Sequence, residues 1–464
     1  MSQLVQKLWS LCHTLRHDGF DYGDYIEQIT YLLFLKMASE KGVMLPSGRC
    51  WMTLIKVPEE QLIAYYEETL KELGEKSRLF GEIFSQATSA FRHSINLKKL
   101  IQLIDQENFS QKKEDVPGAA FEGLLAKAAD EGKKGAGQYF TPRVLIHSIV
   151  EVMKPDPFEA SKFSILDPAC GTGGFLLGSY EWLLKNRDKN KLSPLQIKRL
   201  KNSVYYGQEL VPRPRRLALM NLFLHGLKGN VVLGDSLYEY QGRRKYDCIL
   251  TNPPFGTKGS HAAPDRQEFF LKTRNKQLNF IQHVCSLLKK GGRAAMVLPD
   301  NCLFERQANK LFRSLSEEID FHTLLRLPQG TFTPYSPGVK ANVLFFQKGS
   351  PTKVLWVYDA RTGLPSCTKK ARPLSEKNFE DFEKVYGSDP NGQSPRTVSK
   401  RFRPLSLLAL LARDFNLDYT WLSEDLGVSN SLEGLLIEAF DRIEKINQGF
   451  EKLRPLVVQK NRAA

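Results

Sequence analysis

Paired cysteines and long apolar runs are both missing from this sequence. None of its seven cysteines forms a C-x-x-C pair, which argues against a disulfide framework or a zinc ribbon and predicts a protein of the reducing cytoplasm. The strongly apolar stretches, such as residues 31–35, fall far short of the ~18 residues of a transmembrane helix. Because His13, Arg16 and His17 interrupt the N-terminal region, we expect no secretory signal. No membrane partner is predicted.

Phosphate-binding and metal-binding motifs are absent as well. The sequence has no G-x-x-x-x-G-K-[ST] loop, and its one turn resembling G-x-G-x-x-G has Leu176 in place of the last glycine. A dinucleotide or ATP is therefore not favoured as the ligand. His13 and His17 are four residues apart but lack a third ligand, so no metal site is predicted.

Positive charge is concentrated in one part of the chain. Residues 1–150 hold 18 Lys and Arg against 19 Asp and Glu, whereas residues 151–464 hold 48 against 32. A basic surface favours phosphate-rich partners through counterion release. Charge alone leaves two alternatives open, a nucleic-acid-binding protein or a basic protein without such a partner.

The 464 residues are enough for two or three domains. Apolar residues recur at helical spacing over roughly residues 1–104, and we predict a helical N-terminal domain over residues 1–130. Short apolar runs then alternate with helical stretches, a pattern typical of a mostly parallel α/β sheet, over residues 131–403. Residues 342–347 and 353–358 suggest an antiparallel edge hairpin, and residues 360–403 suggest loops and a linker. Residues 404–464 are predicted to be a C-terminal helical tail for subunit assembly.

Residues 163–175, FSILDPACGTGGF, carry the strongest local signal. An apolar strand leads into Asp167, then into a turn with Gly171, Gly173 and Gly174, where the backbone can approach a ligand closely. Since a carboxylate at the turn would repel pyrophosphate, a cationic or hydroxylated ligand is favoured, and S-adenosylmethionine fits. The alternative is a purely structural glycine turn.

Two further carboxylates follow the next predicted strands. Glu209 could accept hydrogen bonds from ribose hydroxyls, and Asp235 could accept from the amino group of the cofactor adenine. Either residue alone could be a solvated acid at a strand end. Their order at successive strand ends favours the cofactor interpretation.

The tetrapeptide Asn252-Pro253-Pro254-Phe255 follows another predicted strand, at residues 246–250. Two consecutive prolines fix an extended turn and remove two backbone donors. The side-chain carbonyl of Asn252 and the backbone carbonyl of Pro253 can then accept both hydrogens of an exocyclic amine. Phe255 offers a flat face for stacking a base. The alternative, a plain loop, loses weight because the Asp167 turn lies upstream at the same predicted sheet edge.

A heptad-like stripe marks the C-terminal tail. Apolar residues at 436, 440, 443, 446, 450, 453 and 457 recur at steps of three and four, interrupted by Pro455. The stripe fits either a helix folded onto its own domain or a coiled-coil arm for a partner.

Taken together, DPACGTGGF and TNPPFG resemble the motif pair of the DNA amino-methyltransferases. GQYFTPR, at residues 137–143, is similar to their additional cofactor motif, and this motif order resembles their gamma arrangement. The resemblance is greater still to the modification (M) subunits of type I restriction–modification systems. Residues 8–40 look like the helical domain of those subunits, and LPQGTFTPYSPGVKANVLFF, at residues 327–346, looks like their late motif.

This resemblance implies a fold and an activity. The fold would be a Rossmann-like methyltransferase domain between an all-helical N-terminal domain and a C-terminal helical tail. The methyl donor would be S-adenosylmethionine, and the product would be N6-methyladenine in double-stranded DNA, with the target base flipped into the pocket. Two M subunits would join one specificity subunit, and a separate restriction subunit would cleave.

The resemblance also implies roles for individual residues. Those implied to bind the cofactor are Gln138, Tyr139, Phe140, Thr141, Asp167, Ala169, Gly171, Thr172, Gly173, Gly174, Glu209 and Asp235. The catalytic residues would be Asn252, Pro253, Pro254 and Phe255, with Phe332 on the opposite face of the base.

Other functions remain open from the sequence. A stand-alone DNA, RNA or protein-glutamine amino-methyltransferase could use the same N-P-P-aromatic turn, because any planar amine can be held in this way. An idle subunit that only binds DNA or partners is the third possibility.

Overall fold

The computed structural model describes residues 6–10, 19, 22–40, 42–43, 45–76, 79–107, 123–124, 141–239, 244–256, 262–333, 338–362, 364, 366–368 and 371–421. Residues Met1–Tyr419 form one compact unit, and Thr420–Ala464 form a second. Because residues 422–464 lie outside the described residues, the predicted heptad stripe of the tail lies outside them too.

Helices make up the regular structure of the described N-terminal part, as its apolar spacing predicts. They are α1 (Tyr22–Glu40), α2 (Trp51–Leu54), α3 (Glu59–Gly74), α4 (Leu79–Phe84) and α5 (Ser94–Asp105). α1 contributes fully buried residues such as Ile29, Leu33 and Phe34. The Phe34 ring also packs on Phe223, which belongs to the α/β part of the chain, with ring centroids 4.5 Å apart.

Strands and helices alternate after residue 142. The strands are β1 (Ile165–Asp167), β2 (Tyr205–Glu209), β3 (Asn230–Leu233), β4 (Tyr246–Thr251), β5 (Leu288–Pro299), β6 (Ile319–Arg326), β7 (Ala341–Lys348), β8 (Val354–Asp359) and β9 (Phe402–Ser406). The helices are α6 (Arg143–Met153), α7 (Gly174–Asn186), α8 (Pro194–Ser203), α9 (Pro212–Leu224), α10 (Lys276–Leu287), α11 (Asn301–Phe304), α12 (Arg306–Leu315), α13 (Glu380–Tyr386) and α14 (Leu407–Ala412).

One nine-stranded sheet organises this part, in the order β3-β2-β1-β4-β5-β7-β6-β8-β9. The first five strands in that order are parallel, so the carboxyl ends of β1, β2, β3 and β4 lie at one edge. The strand order reverses direction at β1, between β2 and β4, and ligands of open α/β sheets bind at such a point. This mixed sheet confirms the predicted Rossmann-like fold class.

The helical N-terminal region packs against α9, the helix that directly follows Glu209. Arg213 donates a 3.0 Å hydrogen bond to Asp24 of α1, and Arg216 donates to Glu27 of the same helix. A single hydrophobic cluster includes buried side chains of both regions. The N-terminal helices therefore support α9, the helix that follows the end of β2.

The C-terminal part of the sheet differs from two sequence predictions. The hairpin expected from residues 342–347 and 353–358 is wrong: β7 and β8 do not pair, because β6 lies between them and is antiparallel to β7 and parallel to β8. Residues 360–403 are also more than loops, since they contain α13 and the start of β9. β9 pairs with β8 and crosses the boundary predicted between residues 403 and 404, so the sheet continues beyond it.

Candidate active site

Asp167 ends β1 and is buried, with 2 % of its surface exposed. Its Oδ1 atom accepts a 2.7 Å hydrogen bond from the Thr251 hydroxyl and a 3.0 Å hydrogen bond from the Ala169 amide. Burial raises the pKa of Asp167 to about 7 despite these two hydrogen bonds, and the nearby Glu209 charge adds to the increase. Oδ2 accepts no hydrogen bond from any described residue, which leaves it available to a ligand donor.

The glycines after Asp167 give the turn its shape. Gly171 and Gly173 have φ angles of 53° and 85°, a left-handed conformation that glycine adopts without steric cost. α7 begins at Gly174, where a Cβ atom would lie 2.8 Å from Ile146 Cδ1 of α6. The φ angles therefore favour glycine in the turn, and a larger residue at Gly174 would require the Ile146 side chain to shift.

Glu209 at the end of β2 is bonded to this turn. Its Oε2 atom accepts a 2.9 Å hydrogen bond from the Gly171 amide, and Oε1 accepts one of the same length from the Val211 amide. Burial raises the pKa of Glu209. The carboxylate thus fixes the end of β2 against the glycine turn, and each oxygen retains a second lone pair for a ligand hydroxyl.

Asp235 follows β3 and is half-buried. Its Oδ1 atom accepts a 2.8 Å hydrogen bond from the Leu237 amide, which shapes the turn. The neighbouring Ser236 hydroxyl donates a 2.5 Å hydrogen bond to the Pro168 carbonyl, directly after Asp167. The structure therefore brings the turns carrying Asp167, Glu209 and Asp235 together at one edge of the sheet.

The Asn252 side chain has one satisfied group and one free group. Its Nδ2 donates a 3.0 Å hydrogen bond to the Thr141 hydroxyl. Its Oδ1 atom is buried and has no hydrogen-bond partner among the described residues. A buried acceptor without a donor costs about 1–3 kcal/mol, so this atom is set up to accept a hydrogen bond from a bound ligand.

The two prolines of this turn have different environments. Pro253 is buried and Pro254 is exposed. The Pro254 carbonyl accepts a 3.4 Å hydrogen bond from Gln277 Nε2 at the start of α10. The turn is thus held by side chains on both sides of it, Thr141 and Gln277.

Phe255 and Phe332 contact one another directly, with ring centroids 5.4 Å apart and ring planes at 88°. Phe332 is buried, whereas Phe255 is half-buried. The two rings pack edge to face, with no gap for a base between them in this structure. That Phe332 lies against the opposite face of the base stays a prediction.

The remaining predicted site residues fall into two groups. Ala169 and Thr172 lie in the glycine turn, where the Thr172 carbonyl accepts a 3.3 Å hydrogen bond from Asn221 Nδ2. The predicted residues Gln138, Tyr139 and Phe140 lie outside the described residues.

Three residues that build the site were not predicted from the sequence: Thr251, Ser236 and Gln277. Thr251 is the first residue of the motif TNPPFG, and Ser236 follows Asp235, but neither was given a role of its own. Gln277 lies about 20 residues beyond the N-P-P-F turn on a helix, and no sequence pattern links the two.

The polar groups at this edge suit a particular kind of ligand. Asp167, Glu209 and Asp235 are all acceptors, so they favour ligand amines and hydroxyls and disfavour phosphates. The residues present therefore fit a donor such as S-adenosylmethionine, which carries an amine, a ribose and an adenine. Asn252 Oδ1 lies at the end of the adjacent strand β4 and fits a second, separate amine.

Comparison with protein families identifies the chain. Residues 112–421 match the N-6 DNA Methylase family, and residues 4–44 match the HsdM N-terminal domain. The first of these matches covers most of the α/β part, and the second covers the helix α1 that packs on α9.

Two curated relatives extend the likeness over most of the chain. The type I restriction enzyme StySPI methylase subunit of Salmonella potsdam is 40% identical over an alignment of 429 residues, and the match covers 85% of this chain and 78% of that protein. The type I restriction enzyme EcoKI methylase subunit of Escherichia coli K12 has the same identity and coverage.

Solved structures agree with these matches. A chain from a study of complex assembly and conformational transition of the type I R-M system has a TM-score of 0.76 at 26% identity, and the match covers 97% of this chain and 98% of that one. The crystal structure of the type I restriction enzyme EcoKI M protein has a TM-score of 0.56 at 30% identity, with 97% and 96% covered. The chain described here therefore belongs to the N-6 DNA methylase family and is a modification subunit of the type I restriction–modification class.

Proposed function

We propose that this chain uses S-adenosylmethionine to methylate the exocyclic amine of an adenine flipped out of double-stranded DNA, as part of a complex with a specificity subunit. Membership in the family already makes the chain an adenine-specific DNA methyltransferase. The donor, the partners and the role of each residue are the proposal.

The three carboxylates would hold the donor. Asp167 would accept from its methionine amine, Glu209 from the ribose hydroxyls and Asp235 from the adenine amino group. Gly171 and Gly173 would allow the backbone to approach the methionine part. Thr141, which accepts a hydrogen bond from Asn252, would link the donor to the N-P-P-F turn. Gln138, Tyr139 and Phe140 complete the predicted cofactor motif.

The unpartnered Oδ1 of Asn252 is the observation that carries the proposal. An exocyclic amine has two hydrogens, and the turn offers two carbonyl acceptors, Asn252 Oδ1 and the Pro253 backbone oxygen. Accepting both hydrogens would draw electron density onto the amine nitrogen, whose lone pair is otherwise delocalised into the adenine ring. Phe255 would stack on that ring, while Phe332 holds Phe255 in place.

Catalysis would consist mainly of positioning. When bound, the sulfonium supplies an electrophilic methyl group together with a thioether leaving group, so a strong general base is not needed. What the chain supplies is alignment, because Thr251 and Thr141 tie the amine-binding turn to the cofactor-binding elements. Well-oriented reactants can gain about 7–11 kcal/mol from alignment of this kind. The adenine must leave the base stack to reach the turn.

The assembly follows from the class of the relatives. The curated relatives are methylase subunits of type I restriction enzymes, and we propose that two copies of this chain join one specificity subunit, with a restriction subunit as a further partner. Six described cysteines are free thiols, which suits a reducing cytoplasm.

Transfer of labelled methyl from S-adenosylmethionine to mixed-sequence DNA tests this function. The chain is assayed alone and with its specificity subunit, and the DNA is then digested to nucleosides. Label in methyladenine only when the partner is present is the expected result. Label in RNA or in protein glutamine, with none in DNA adenine, would contradict the proposal. Label with this chain alone would contradict its dependence on the partner and would assign DNA recognition to some part of residues 350–464.

A further inference from the structure

The segment of residues 265–276 follows the N-P-P-F turn and ends on Lys276, the first residue of α10. This segment, here called the 265–276 loop, displays one aromatic ring and two exposed cations. Phe270 is the most exposed of the described aromatic side chains, at 63 %. Lys272 and Arg274 are exposed as well. The three residues alternate with Leu271 and Thr273, which are half-buried and buried. The alternation presents the ring and both cations to solvent.

Buried amide side chains of α10 hold this loop. Gln282 accepts a 2.6 Å hydrogen bond from the Leu271 amide and donates a 3.0 Å hydrogen bond to the Leu271 carbonyl. Asn279 Nδ2 donates a 2.9 Å hydrogen bond to the Thr273 carbonyl. Both amides are almost fully buried, and burying an amide is unfavourable unless it is hydrogen-bonded. α10 thus uses core positions to fix the backbone on either side of Lys272.

The same loop is attached to the cofactor side of the site and to α12. Arg266 Nη1 donates a 3.3 Å hydrogen bond to the carbonyl of Ser236, the residue whose hydroxyl is bonded to Pro168. The Thr273 hydroxyl donates a 2.9 Å hydrogen bond to Gln307. The exposed side chains therefore project from a backbone that is held at several points.

The loop ends next to the residue that holds the N-P-P-F turn. Gln277, whose side chain is bonded to the Pro254 carbonyl, follows Arg274 by three residues. Three residues of chain span at most about 10 Å, which is about the rise of three base-pair steps of DNA at roughly 3.4 Å for each step. The loop is thus close enough to the turn for one duplex to reach both.

Charge at the loop favours an anionic partner. Residues 265–276 contain four basic side chains and two acidic ones. Arg266 is paired with Glu268, and Lys272 lies 3.7 Å from Asp265 in an exposed contact. An exposed pair of this kind is weak, so Lys272 can exchange its partner for a phosphate.

We propose that the 265–276 loop is a duplex-DNA contact beside the flipped adenine, with Lys272 and Arg274 on backbone phosphates and the Phe270 ring against the base exposed by flipping. This inference rests on the proposed function, since it assumes that the adenine is extruded at the N-P-P-F turn. Extrusion leaves an unstacked base face in the duplex, and an exposed aromatic ring can cover that face as inserted apolar side chains do in other DNA complexes.

Fluorescence and binding measurements on the complex with its specificity subunit test the proposal. The probe is a short duplex containing the methylated site identified by labelling, with 2-aminopurine at the target adenine to report flipping. The variants are Phe270→Ala, Phe270→Trp and the double variant Lys272→Ala/Arg274→Ala. Matched controls come from exposed residues of α8 and of the short 3-10 helix Lys189–Lys191 that precedes it. They are Leu195→Ala for the ring, and Lys191→Ala/Lys198→Ala for the cations.

The variants of the aromatic ring and the variant of the two cations should change different measured quantities. Phe270→Ala should lower the flipping signal about fivefold with little change in Kd, and Phe270→Trp should restore it, because stacking needs only an aromatic face. Lys272→Ala/Arg274→Ala should raise Kd about tenfold at low salt and reduce the salt slope of log Kd by about 2, because each cation would neutralise one phosphate. Cofactor affinity by calorimetry should be unchanged in all variants.

Variants that match the α8 controls in flipping, Kd and salt slope would overturn the proposal. So would variants that fail to co-purify with the specificity subunit, because the loop would then be a protein interface. Failure of the proposed function is distinguishable, because a wild-type complex that binds DNA but puts no methyl on adenine contradicts that function. In that case the salt slope of binding to a mixed-sequence duplex still tests the phosphate contacts.

Discussion

The Thr251 hydroxyl donates a 2.7 Å hydrogen bond to Asp167 Oδ1, and this bond joins the two motifs of the site. Thr251 is the last residue of β4 and directly precedes the N-P-P-F turn, while Asp167 ends β1, the neighbouring parallel strand. Both residues are buried. The position of the N-P-P-F turn, proposed to bind the target amine, is thus tied to the carboxylate proposed to hold the methyl donor.

Replacing Thr251 by Val tests this connection. Loss of the hydroxyl removes a donor from buried Asp167 Oδ1, and we expect the free energy of unfolding to fall by about 1–3 kcal/mol. The same hydrogen bond lowers the pKa of Asp167, so its loss should raise that pKa further. Denaturant unfolding measures the first effect, and calorimetry should show weaker S-adenosylmethionine binding at neutral pH. Thr251→Ser keeps the hydroxyl and is the control; equal losses in both variants would contradict the role of this bond.

The sequence predicts where the motif residues lie better than it predicts how strands pair on the far side of the sheet. Asp167, Glu209 and Asp235 each follow a short apolar run, and the parallel pairing of their strands brings them together as expected. β7 and β8 are joined by only five residues, which suggested a hairpin. Their true neighbour is β6, whose pairing depends on contacts distant in sequence. Strand pairing of that kind is not encoded in local spacing.

The side chains that support the motifs could not be predicted from the sequence either. Gln277 and Asn279 occupy buried positions on α10 where helical periodicity predicts apolar residues. Polar side chains are used here because Gln277 donates a hydrogen bond to the Pro254 carbonyl, and Asn279 donates one to the Thr273 carbonyl. A sequence pattern shows which positions are buried but not which distant backbone groups need a partner.

The raised pKa of Asp167 predicts a pH-dependent stability. Its folded pKa is about 7, whereas an unfolded aspartate has a pKa of about 4. Between these values the folded chain binds more protons than the unfolded chain, so the free energy of unfolding should fall as pH rises from about 4 to about 7. Burial also raises the pKa of Glu209, which acts in the same direction. Denaturant unfolding across this range measures the trend in the ligand-free chain.

Asp167→Asn is the matched variant for that trend, since it removes the titrating group and keeps the shape. Its stability should depend less on pH than that of the wild type, and a Glu209→Gln variant isolates the second carboxylate. Wild-type affinity for S-adenosylmethionine should increase as pH rises through about 7, because the ionised carboxylate binds an amine better. An unchanged slope of stability against pH in Asp167→Asn would contradict the assignment.

Deletion of residues 430–464 tests the predicted role of the C-terminal tail. These residues carry the heptad-like stripe and lie outside the described residues. We expect the truncated chain to bind S-adenosylmethionine as the full chain does, since every described residue that is predicted to bind the cofactor precedes Thr420. Co-purification with the specificity subunit should be abolished. A truncated chain that still assembles would assign the interface to another part of the protein.

Asn252→Ala is the variant that tests the central claim most directly, with two measurements on one preparation. Calorimetry should show S-adenosylmethionine affinity close to that of the wild type, because no predicted cofactor carboxylate is changed. Methyl transfer to DNA by the complex with its specificity subunit should fall by about 100-fold or more, in line with loss of a preorganised hydrogen-bonding group that acts on the reacting atom. Asn190→Ala, on an exposed surface position, should change neither quantity. Full methyl transfer by Asn252→Ala would contradict the claim that Asn252 Oδ1 holds the target amine.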